Sequence, residues 1–263
     1  GAGRTYACRA RMIDIHTHLL PGVDDGSPTI EVSVPVLERF RKDGVTVLVC
    51  TPHLKATDAH RAPVERYRAI LAQLIERAPP VPELLLGWEI MLDAPGVDLT
   101  APHLHLGNSG AALVEFPRTH IPPGATEEIL RIRTSGVIPV IAHPERYHEC
   151  TTTLVSQWRS VGAVIQMDAV MVFGNAPMCR LARKLLEEGL VDCIASDTHA
   201  DSRSLKAARD WLEALDAHEQ AELLCTINAR RLLNREAVLP VLPIPRTDSG
   251  MLSRLKTMFM RQS

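Results

Sequence analysis

The feature that most constrains this chain is a series of short apolar runs, each followed closely by histidine, aspartate or glutamate. The runs and the residues that close them are MIDIHTH with His16 and His18, VTVLVCTPH with His53, LLLGWE with Glu89, ALVE with Glu115, VIPVIAH with His143, and VDCIASDTH with Asp197 and His199. Apolar runs rich in β-branched residues predict buried strands of a parallel sheet. In barrels of parallel strands, the chemistry takes place at the carboxyl ends of the strands. The repeated pattern therefore predicts a site for several metal ions.

Helical patterns separate these strands. Ser27 and Pro28 predict a helix start with the serine as N-cap, and this helix should run to about Lys42 and stop near Gly44. Further helices are predicted over Pro63–Arg77, Glu127–Thr134, Thr153–Ser160, Cys179–Glu188, Leu205–Leu215 and Glu219–Leu233. The run GAVIQMDA predicts one more strand, without a titratable ligand at its tip.

Strands that alternate with helices indicate an α/β fold with a mostly parallel sheet, either closed as a barrel or open. The irregular segment Met91–Gly110 favours a distorted barrel over an ideal one. The 263 residues suffice for one large domain, and 46% of them are apolar, which is ample for its core. We expect a single barrel domain over residues 12–238. Residues 1–11 are expected to be an extension or cloning remnant, and residues 239–263 a basic tail punctuated by prolines.

Composition excludes several functional classes. A net charge of −2 gives no basis for nucleic-acid binding, and no apolar run approaches the ~18–20 residues of a membrane span. The first eleven residues lack the apolar centre of a signal peptide. No two of the six cysteines have CxxC spacing, which is typical of reduced thiols in the cytoplasm. We expect a cytoplasmic protein without a nucleic-acid partner or membrane span, and leave open whether it forms a homo-oligomer.

The spacing of the polar residues indicates metal chemistry. His16 and His18 lie two residues apart on a strand, so both imidazoles point to the same side. Asp25 follows by a short turn and offers an oxygen ligand, while its neighbour Asp24 fits a turn-capping role. Nine ligands are too many for one ion and enough for two or three. They are His16, His18, Asp25, His53, Glu89, Glu115, His143, Asp197 and His199.

Two arginines are candidates for binding phosphate. Arg146 lies three residues after His143, where its guanidinium can bind phosphoryl oxygens through paired hydrogen bonds. The structural alternative for Arg146 is a salt bridge to Glu145 or Glu149. Arg203 follows the last strand and is a second candidate.

These motifs resemble the PHP (polymerase and histidinol phosphatase) superfamily and, within it, the bacterial capsule-type, manganese-dependent protein-tyrosine phosphatases. The matching stretches include MIDIHTHLLPGVDDG, ALVEFP, VIPVIAHPERY and LVDCIASDTH. The resemblance implies a distorted (β/α)7 TIM-like barrel of the PHP type, with Arg146 as the phosphate-binding arginine. It implies two to three divalent ions, Mn²⁺ first, with Fe, Zn, Co or Mg as alternatives. One ion would be held by His16, His18, Glu89 and Asp197, the second by Glu89, Glu115 and His143, and the third by Asp25, His53 and His199.

Several functions fit this resemblance. The leading one is dephosphorylation of phosphotyrosine on a bacterial tyrosine kinase that regulates capsule or exopolysaccharide synthesis. The alternatives are a small-molecule phosphatase, such as a histidinol-phosphate phosphatase, and a non-catalytic PHP module. Cys225 and Arg231 match the Cys-x5-Arg spacing of thiol-dependent tyrosine phosphatases, but their helical, glycine-free context predicts a coincidence.

Overall fold

Parallel strands form the framework of the molecule. The computed structural model describes residues 11–246, and within that range nine strands form two sheets. The strands are β1 (Met12–Thr17), β2 (Val45–Cys50), β3 (His53–Lys55), β4 (Glu83–Leu86), β5 (Glu89–Met91), β6 (Ala111–Glu115), β7 (Ile138–Ala142), β8 (Val164–Asp168) and β9 (Cys193–Ala195). One sheet has the order β1-β2-β4 and the other β3-β5-β6-β7-β8-β9. Every pairing is parallel, which confirms the predicted α/β class with parallel sheets.

The two sheets meet where β2 leads into β3 and β4 leads into β5. Two residues separate the strands in each case, and the backbone pairing continues across this gap. The amide of Gly87 donates to the carbonyl of Cys50 at 2.9 Å, and that of Glu89 donates to the carbonyl of Pro52 at 3.1 Å. The chain therefore passes from one sheet to the other without a change in strand direction.

The sheets also meet where β1 lies beside the end of β9. The amide of Asp197 donates to the carbonyl of His16 at 3.0 Å, and the amide of His18 donates to that of Thr198 at 2.9 Å. These bonds bring the first and last strands together at their carboxyl ends, where His16, His18 and Asp197 lie.

Eight α-helices lie between or after the strands in the described range. They are α1 (Ile30–Asp43), α2 (Val64–Arg77), α3 (Ala125–Thr134), α4 (Thr152–Ser160), α5 (Pro177–Glu187), α6 (Leu205–Glu213), α7 (His218–Glu222) and α8 (Asn228–Leu233). The predicted stop near Gly44 is confirmed, because Gly44 caps α1 in the left-handed conformation at φ 95°. The predicted continuous helix Glu219–Leu233 is interrupted, since a π-helical turn over Leu223–Ile227 separates α7 from α8. None of these helices is long and apolar enough to cross a membrane.

The predicted N-cap of the first helix is wrong. Thr29, not Ser27, precedes the first helical residue, and its backbone is extended at φ −147°. Ser27 is instead part of the preceding loop, where its amide donates to the carbonyl of His18 at 2.9 Å and its hydroxyl donates to that of Thr29 at 3.0 Å. The loop therefore uses the serine that the sequence pattern assigns to the helix.

Strand β6 illustrates how the core directs polar residues to one edge. Ala112 and Val114 pack in the larger apolar cluster, which also contains Ile129 of α3. The alternating residue Leu113 belongs to a second cluster formed mainly by strand residues. Because side chains alternate along a strand, Glu115 emerges at the end of the Leu113 face. Burial of the two apolar faces thus determines the direction in which the terminal carboxylate points.

The chain after α8 packs on the domain up to the end of the described range. Val241 and Ile244 are buried, and the amide of Ile244 donates to the carbonyl of Leu186 at 3.2 Å. Asn228 holds this segment by donating to the carbonyl of Leu239 at 3.0 Å and accepting from its amide at 2.8 Å. The predicted boundary at residue 238 stays a prediction, and residues 247–263 of the expected tail lie outside the described residues, as do residues 1–10.

We expect Asn228→Ala to destabilise the protein by about 1–3 kcal/mol, because it leaves buried backbone groups without hydrogen-bond partners. The matched control is Arg230→Ala, an exposed position on the same helix. The measurement is the urea midpoint of each variant. Equal midpoints for Asn228→Ala and the parent would show that the side-chain amide does not hold the C-terminal segment.

Candidate metal centre

The polar residues predicted to follow the strands meet at the carboxyl edge of the sheets. All nine belong to groups of three or four side chains whose donor atoms lie within 4.8 Å of one another. The groups are His18, Asp25, His53 and His199; His16, His143 and Asp197; His16, His18 and Glu89; and His53, Glu89 and Glu115. Because the groups share members, they form one continuous cluster that could hold more than one ion.

The two histidines of the first strand present lone pairs to each other. Nδ1 of His16 lies 2.9 Å from the amide oxygen of Gln166, and the amide nitrogen of Gln166 donates to the carbonyl of Met167 at 2.8 Å. Nδ1 of His18 lies 2.8 Å from a carboxylate oxygen of Asp24. Both Nδ1 atoms therefore carry the proton in the neutral ring, and both Nε2 atoms carry a lone pair. These Nε2 atoms are only 3.3 Å apart, an arrangement that calls for a cation between them.

Glu89 is the most connected carboxylate of the cluster. Its Oε2 lies 2.9 Å from Nδ1 of His53, 3.2 Å from Nε2 of His18 and 3.4 Å from Nε2 of His16. Its Oε1 lies 2.7 Å from Nε2 of His143. A single carboxylate that faces four imidazoles has the position expected of a bridging ligand between ions.

Asp197 completes the inner part of the cluster. Its Oδ1 lies 3.3 Å from Nε2 of His16 and 3.2 Å from Nε2 of His18, yet it is buried and makes no hydrogen bond in the described structure. Nδ1 of His143 is likewise buried without a partner. Buried polar atoms are rarely left unpaired, so these two atoms support a bound cation.

The outer group is more exposed than the inner one. Oδ1 of Asp25 lies 3.1 Å from Nε2 of His53 and 3.3 Å from Nε2 of His199. The Asp25 side chain is 69% exposed, whereas Glu89 and Asp197 are each 1% exposed. This group therefore lies at the mouth of the site, where solvent and substrate have access.

The loop that carries Asp24 and Asp25 folds tightly onto the first strand. A Cβ atom at Gly26 would lie 2.1 Å from the carbonyl oxygen of His18, so no other residue fits without moving the backbone. His143 and Asp197 are themselves in the left-handed region, at φ 34° and 47°. This conformation is unfavourable for residues other than glycine, and such backbone strain is concentrated at functional sites.

The protonation states suit divalent ions. Burial lowers the pKa of His143 to about 4, so its imidazole is neutral and free to act as a ligand. Burial, reinforced by the negative charge of Glu89, raises the pKa of Glu115 above its ordinary range. Carboxylates crowded in this way repel one another, and a cation would relieve the repulsion. The donor set of imidazoles and carboxylates without thiolate therefore fits catalytic divalent ions.

Both candidate arginines lie at the same carboxylate. The guanidinium of Arg146 lies 2.7 Å from Oδ2 of Asp197 and also pairs with Asp168. The guanidinium of Arg203 lies 3.2 Å from the same Oδ2 and 2.7 Å from Asp201. Arg146 pairs with neither Glu145 nor Glu149, so the salt bridge considered as the structural alternative is not formed in the described chain.

Asp168 is a residue that the sequence pattern missed. The run GAVIQMDA is predicted to carry no titratable ligand at its tip, and Asp168 at the end of β8 belongs to none of the donor groups. It is fully buried and pairs with Arg146 instead. Its backbone amide donates to Oε1 of Glu145 at 2.8 Å. The aspartate at the end of an apolar run was the available signal. Gln166 also went unrecognised, because it orients His16 from a strand 150 residues away.

The competing thiol motif lies elsewhere. Cys225 is fully buried within the π-helical turn, and burial raises the pKa of its thiol to about 12. A thiol of that kind is not a nucleophile at neutral pH. The interpretation of its Cys-x5-Arg spacing as a coincidence is consistent with this placement.

The sequence of this chain matches a known protein family. The family model described as "Capsular polysaccharide synthesis, CpsB/CapC" matches residues 12–234. The chain belongs to the CpsB/CapC family. It is 30% identical over 239 residues to the tyrosine-protein phosphatase CpsB of Streptococcus pneumoniae, covering 84% of this chain and 98% of that protein. It is 28% identical over 245 residues to the tyrosine-protein phosphatase YwqE of Bacillus subtilis, covering 89% of this chain and 96% of that protein.

Solved structures agree with the family assignment. A crystal structure from the work on YwqE of B. subtilis and CpsB of S. pneumoniae, described there as unique metal-dependent tyrosine phosphatases, matches with a TM-score of 0.74 and 26% identity. The match covers 90% of this chain and 100% of that one. A β-aspartyl dipeptidase from Fervidobacterium islandicum matches with a TM-score of 0.51 and 16% identity, which is a likeness of fold alone. The resemblance inferred from the sequence motifs is therefore confirmed at the level of the CpsB/CapC family.

We expect Gln166→Leu to lower the affinity for divalent ions by about ten- to a hundredfold, because His16 loses the partner that fixes its tautomer and orientation. The measurement is a Mn²⁺ titration followed by calorimetry. Gln73→Leu, an exposed glutamine on α2, is the matched control. An unchanged Mn²⁺ affinity in Gln166→Leu would contradict the assigned orientation of His16.

Proposed function

We propose that this protein is a metal-dependent phosphatase that removes phosphate from phosphotyrosine in a protein substrate. The observation that carries the proposal is the cluster of nine nitrogen and oxygen donors with Arg146 and Arg203 at its edge. Such a site combines cations for phosphoryl oxygens with guanidinium groups that bind them through hydrogen bonds. The names of the CpsB and YwqE relatives support tyrosine phosphate as the substrate.

We further propose that the sheets close into a distorted (β/α)7 barrel. The hydrogen bonds between the sheets support it, because counting β2 with β3 and β4 with β5 leaves seven strand positions around the ring. The barrel domain would comprise residues 12–238, with residues 239–263 as a tail whose described part packs on the domain. In this arrangement the carboxyl ends of all the strands would lie at the same end of the barrel.

The proposed site holds two or three ions. His16, His18, Glu89 and Asp197 would hold one, Glu89, Glu115 and His143 the second, and Asp25, His53 and His199 the third. We propose Mn²⁺ first, with Fe, Zn, Co or Mg as alternatives, because imidazole and carboxylate suit all of these ions. When bound, such ions neutralise the phosphoryl oxygens and supply a water of lowered pKa as nucleophile.

The protein's own groups would orient and stabilise the substrate. Arg146 and Arg203 approach from the side of Asp197, so their N–H groups can hold phosphoryl oxygens as charge shifts in the transition state. Asp168 would keep the Arg146 guanidinium in position through their ion pair. The leaving group is a phenolate with pKa ~10, which needs little help from a proton donor. The reaction therefore requires no covalent intermediate.

We propose that the physiological substrate is a bacterial tyrosine kinase that regulates capsule or exopolysaccharide synthesis. The family description and the relatives' names support this assignment. We also propose that the reaction takes place in the cytoplasm, where the free cysteines of the described chain would stay reduced. A histidinol-phosphate phosphatase is not favoured, because the curated relatives are tyrosine phosphatases. A non-catalytic module is disfavoured by the complete donor set.

Removal of the ions is expected to abolish phosphatase activity. Protein treated with EDTA and desalted should not hydrolyse a phosphotyrosine peptide, and added Mn²⁺ should restore the activity, because both the nucleophile and the charge stabilisation depend on the cluster. Cys225→Ser is the control for the thiol mechanism and should retain near-normal turnover. If the parent protein is fully active in chelator and Cys225→Ser is inactive, the proposed metal-dependent mechanism is wrong.

Arg146→Ala is expected to lose about a hundredfold in kcat/KM for a phosphotyrosine peptide, about 3 kcal/mol of transition-state stabilisation. Because this change leaves buried Asp168 without its cation, the double variant Arg146→Ala/Asp168→Asn serves as the stability control. Arg146→Lys should recover only part of the loss, since a point charge cannot make paired hydrogen bonds. Parent-like kcat/KM in folded Arg146→Ala would show that this arginine does not bind phosphate.

A further inference from the structure

A cleft of about 490 Å³ opens from the outer group of the cluster. Asp25, His53 and Glu115 of the cluster are among the residues that line it, so the proposed reaction takes place beside this cleft. Met91 and Pro117 provide apolar surface in the wall of the same cleft. An apolar wall next to a phosphate site suits the ring of a phosphotyrosine.

Two basic residues also line this cleft. Lys55 lies on the same face of β3 as His53, because both are exposed while Leu54 between them is buried. Two residues of strand separate the Lys55 and His53 backbones by about 6–7 Å. Arg118 lies three residues beyond Glu115, after the end of β6, and its carbonyl accepts from the amide of His148 at 3.0 Å. Lys55 in β3 and Arg118 just after β6 thus line the same cleft at the carboxyl edge of the sheet.

The side chains of Lys55 and Arg118 are not directly paired within the described part of the chain. Neither side chain makes a hydrogen bond or an ion pair with any of residues 11–246, whereas Arg146 and Arg203 are both bound to Asp197. Their charges act on carboxylates only at longer range. Together with hydrogen bonds from Thr57, Lys55 helps to lower the pKa of Asp93, and Arg118 opposes the rise that burial causes in the pKa of Glu115.

The acidic residues that share the cleft belong to the proposed metal cluster. Asp25 and Glu115 would have their charge neutralised by the ions they hold. The cleft would then carry a net positive charge at its rim, beyond the position of the phosphate.

We propose that Lys55 and Arg118 bind an anionic side chain that flanks the target phosphotyrosine and so make the site selective for acidic segments of protein. This inference rests on the proposed phosphatase function. A tyrosine side chain that reaches the cluster brings its neighbouring residues over the cleft rim, where the two cations lie. The anion is either a carboxylate or the phosphate of a second phosphorylated residue, because both accept hydrogen bonds from Lys and Arg.

The contact is expected to act on binding. An ion pair made equally in the ground and transition states lowers KM and leaves kcat unchanged. Since the cations are at the rim of an open cleft, the preference should also weaken as salt screens the charges.

The test compares kcat/KM for three phosphotyrosine peptides of equal length, at low salt and with Mn²⁺ present. In the first peptide the residues that flank the phosphotyrosine are glutamines, in the second they are glutamates, and in the third they are glutamines except for one phosphoserine. The variants are Lys55→Ala/Arg118→Ala, the charge-retaining Lys55→Arg/Arg118→Lys, and Arg133→Ala. Arg133 is the matched control, because it lies at the C-terminal end of α3 near the opposite ends of the strands.

The parent is expected to prefer an anionic peptide over the neutral one by about tenfold, chiefly through KM. The double alanine variant should reduce this ratio to about one, while the charge-retaining variant and Arg133→Ala keep most of it. Preference for the phosphoserine peptide alone assigns the two cations to a second phosphate, and preference for the glutamate peptide assigns them to carboxylates.

An unchanged ratio in the double alanine variant, or a parent without preference, would overturn the inference while leaving the phosphatase proposal intact. A parent that hydrolyses none of the three peptides would overturn both. Unfolding is checked by the urea midpoint, and Lys55→Ala alone, at an exposed position, supplies a second reading of the ratio.

Discussion

The structure depends on the neutralisation of carboxylates that are buried at one edge of the parallel sheets. Glu89 and Asp197 are almost completely inaccessible to solvent, and both face the Nε2 atoms of His16 and His18. Burial opposes a positive charge on these imidazoles, but the carboxylates outweigh it and raise the pKa of both rings; in the neutral ring the proton is on Nδ1 and Nε2 offers a lone pair. Burying a charge without a partner is costly, and we propose that metal cations neutralise these carboxylates.

The surrounding structure holds this electrostatic centre in place. Gln166 and Asp24 orient the two imidazoles, and Gly26 allows the loop with Asp25 to lie against the His18 backbone. Arg146 joins Asp168 to Asp197, so the end of β8 is tied to the cluster as well. Such supporting contacts fix the ligand orientation, and through it the affinity and selectivity for ions. The site is thus built from the ends of many strands and depends on their common direction.

The sequence predicted the cluster because its signal is local. A histidine or carboxylate that closes an apolar run, such as Glu115 after ALV, must lie at the end of a buried strand, and parallel strands bring these ends together. The sequence pattern did not single out Asp168, because Ala169 and Val170 follow it and extend the apolar run past the aspartate. Its role depends on Arg146, which lies on another strand connection. The helix start at Thr29 escaped for a related reason, since Ser27 is engaged by a backbone contact with His18 that no local pattern reveals.

Anomalous diffraction from crystals grown with Mn²⁺ measures directly whether cations are bound among the nine donors. We expect two or three strong anomalous peaks within coordination distance of the cluster, more than one of them close to Glu89. Crystals of a preparation that hydrolyses phosphotyrosine, yet show no anomalous peak between His16, His18 and Asp197, would contradict this expectation.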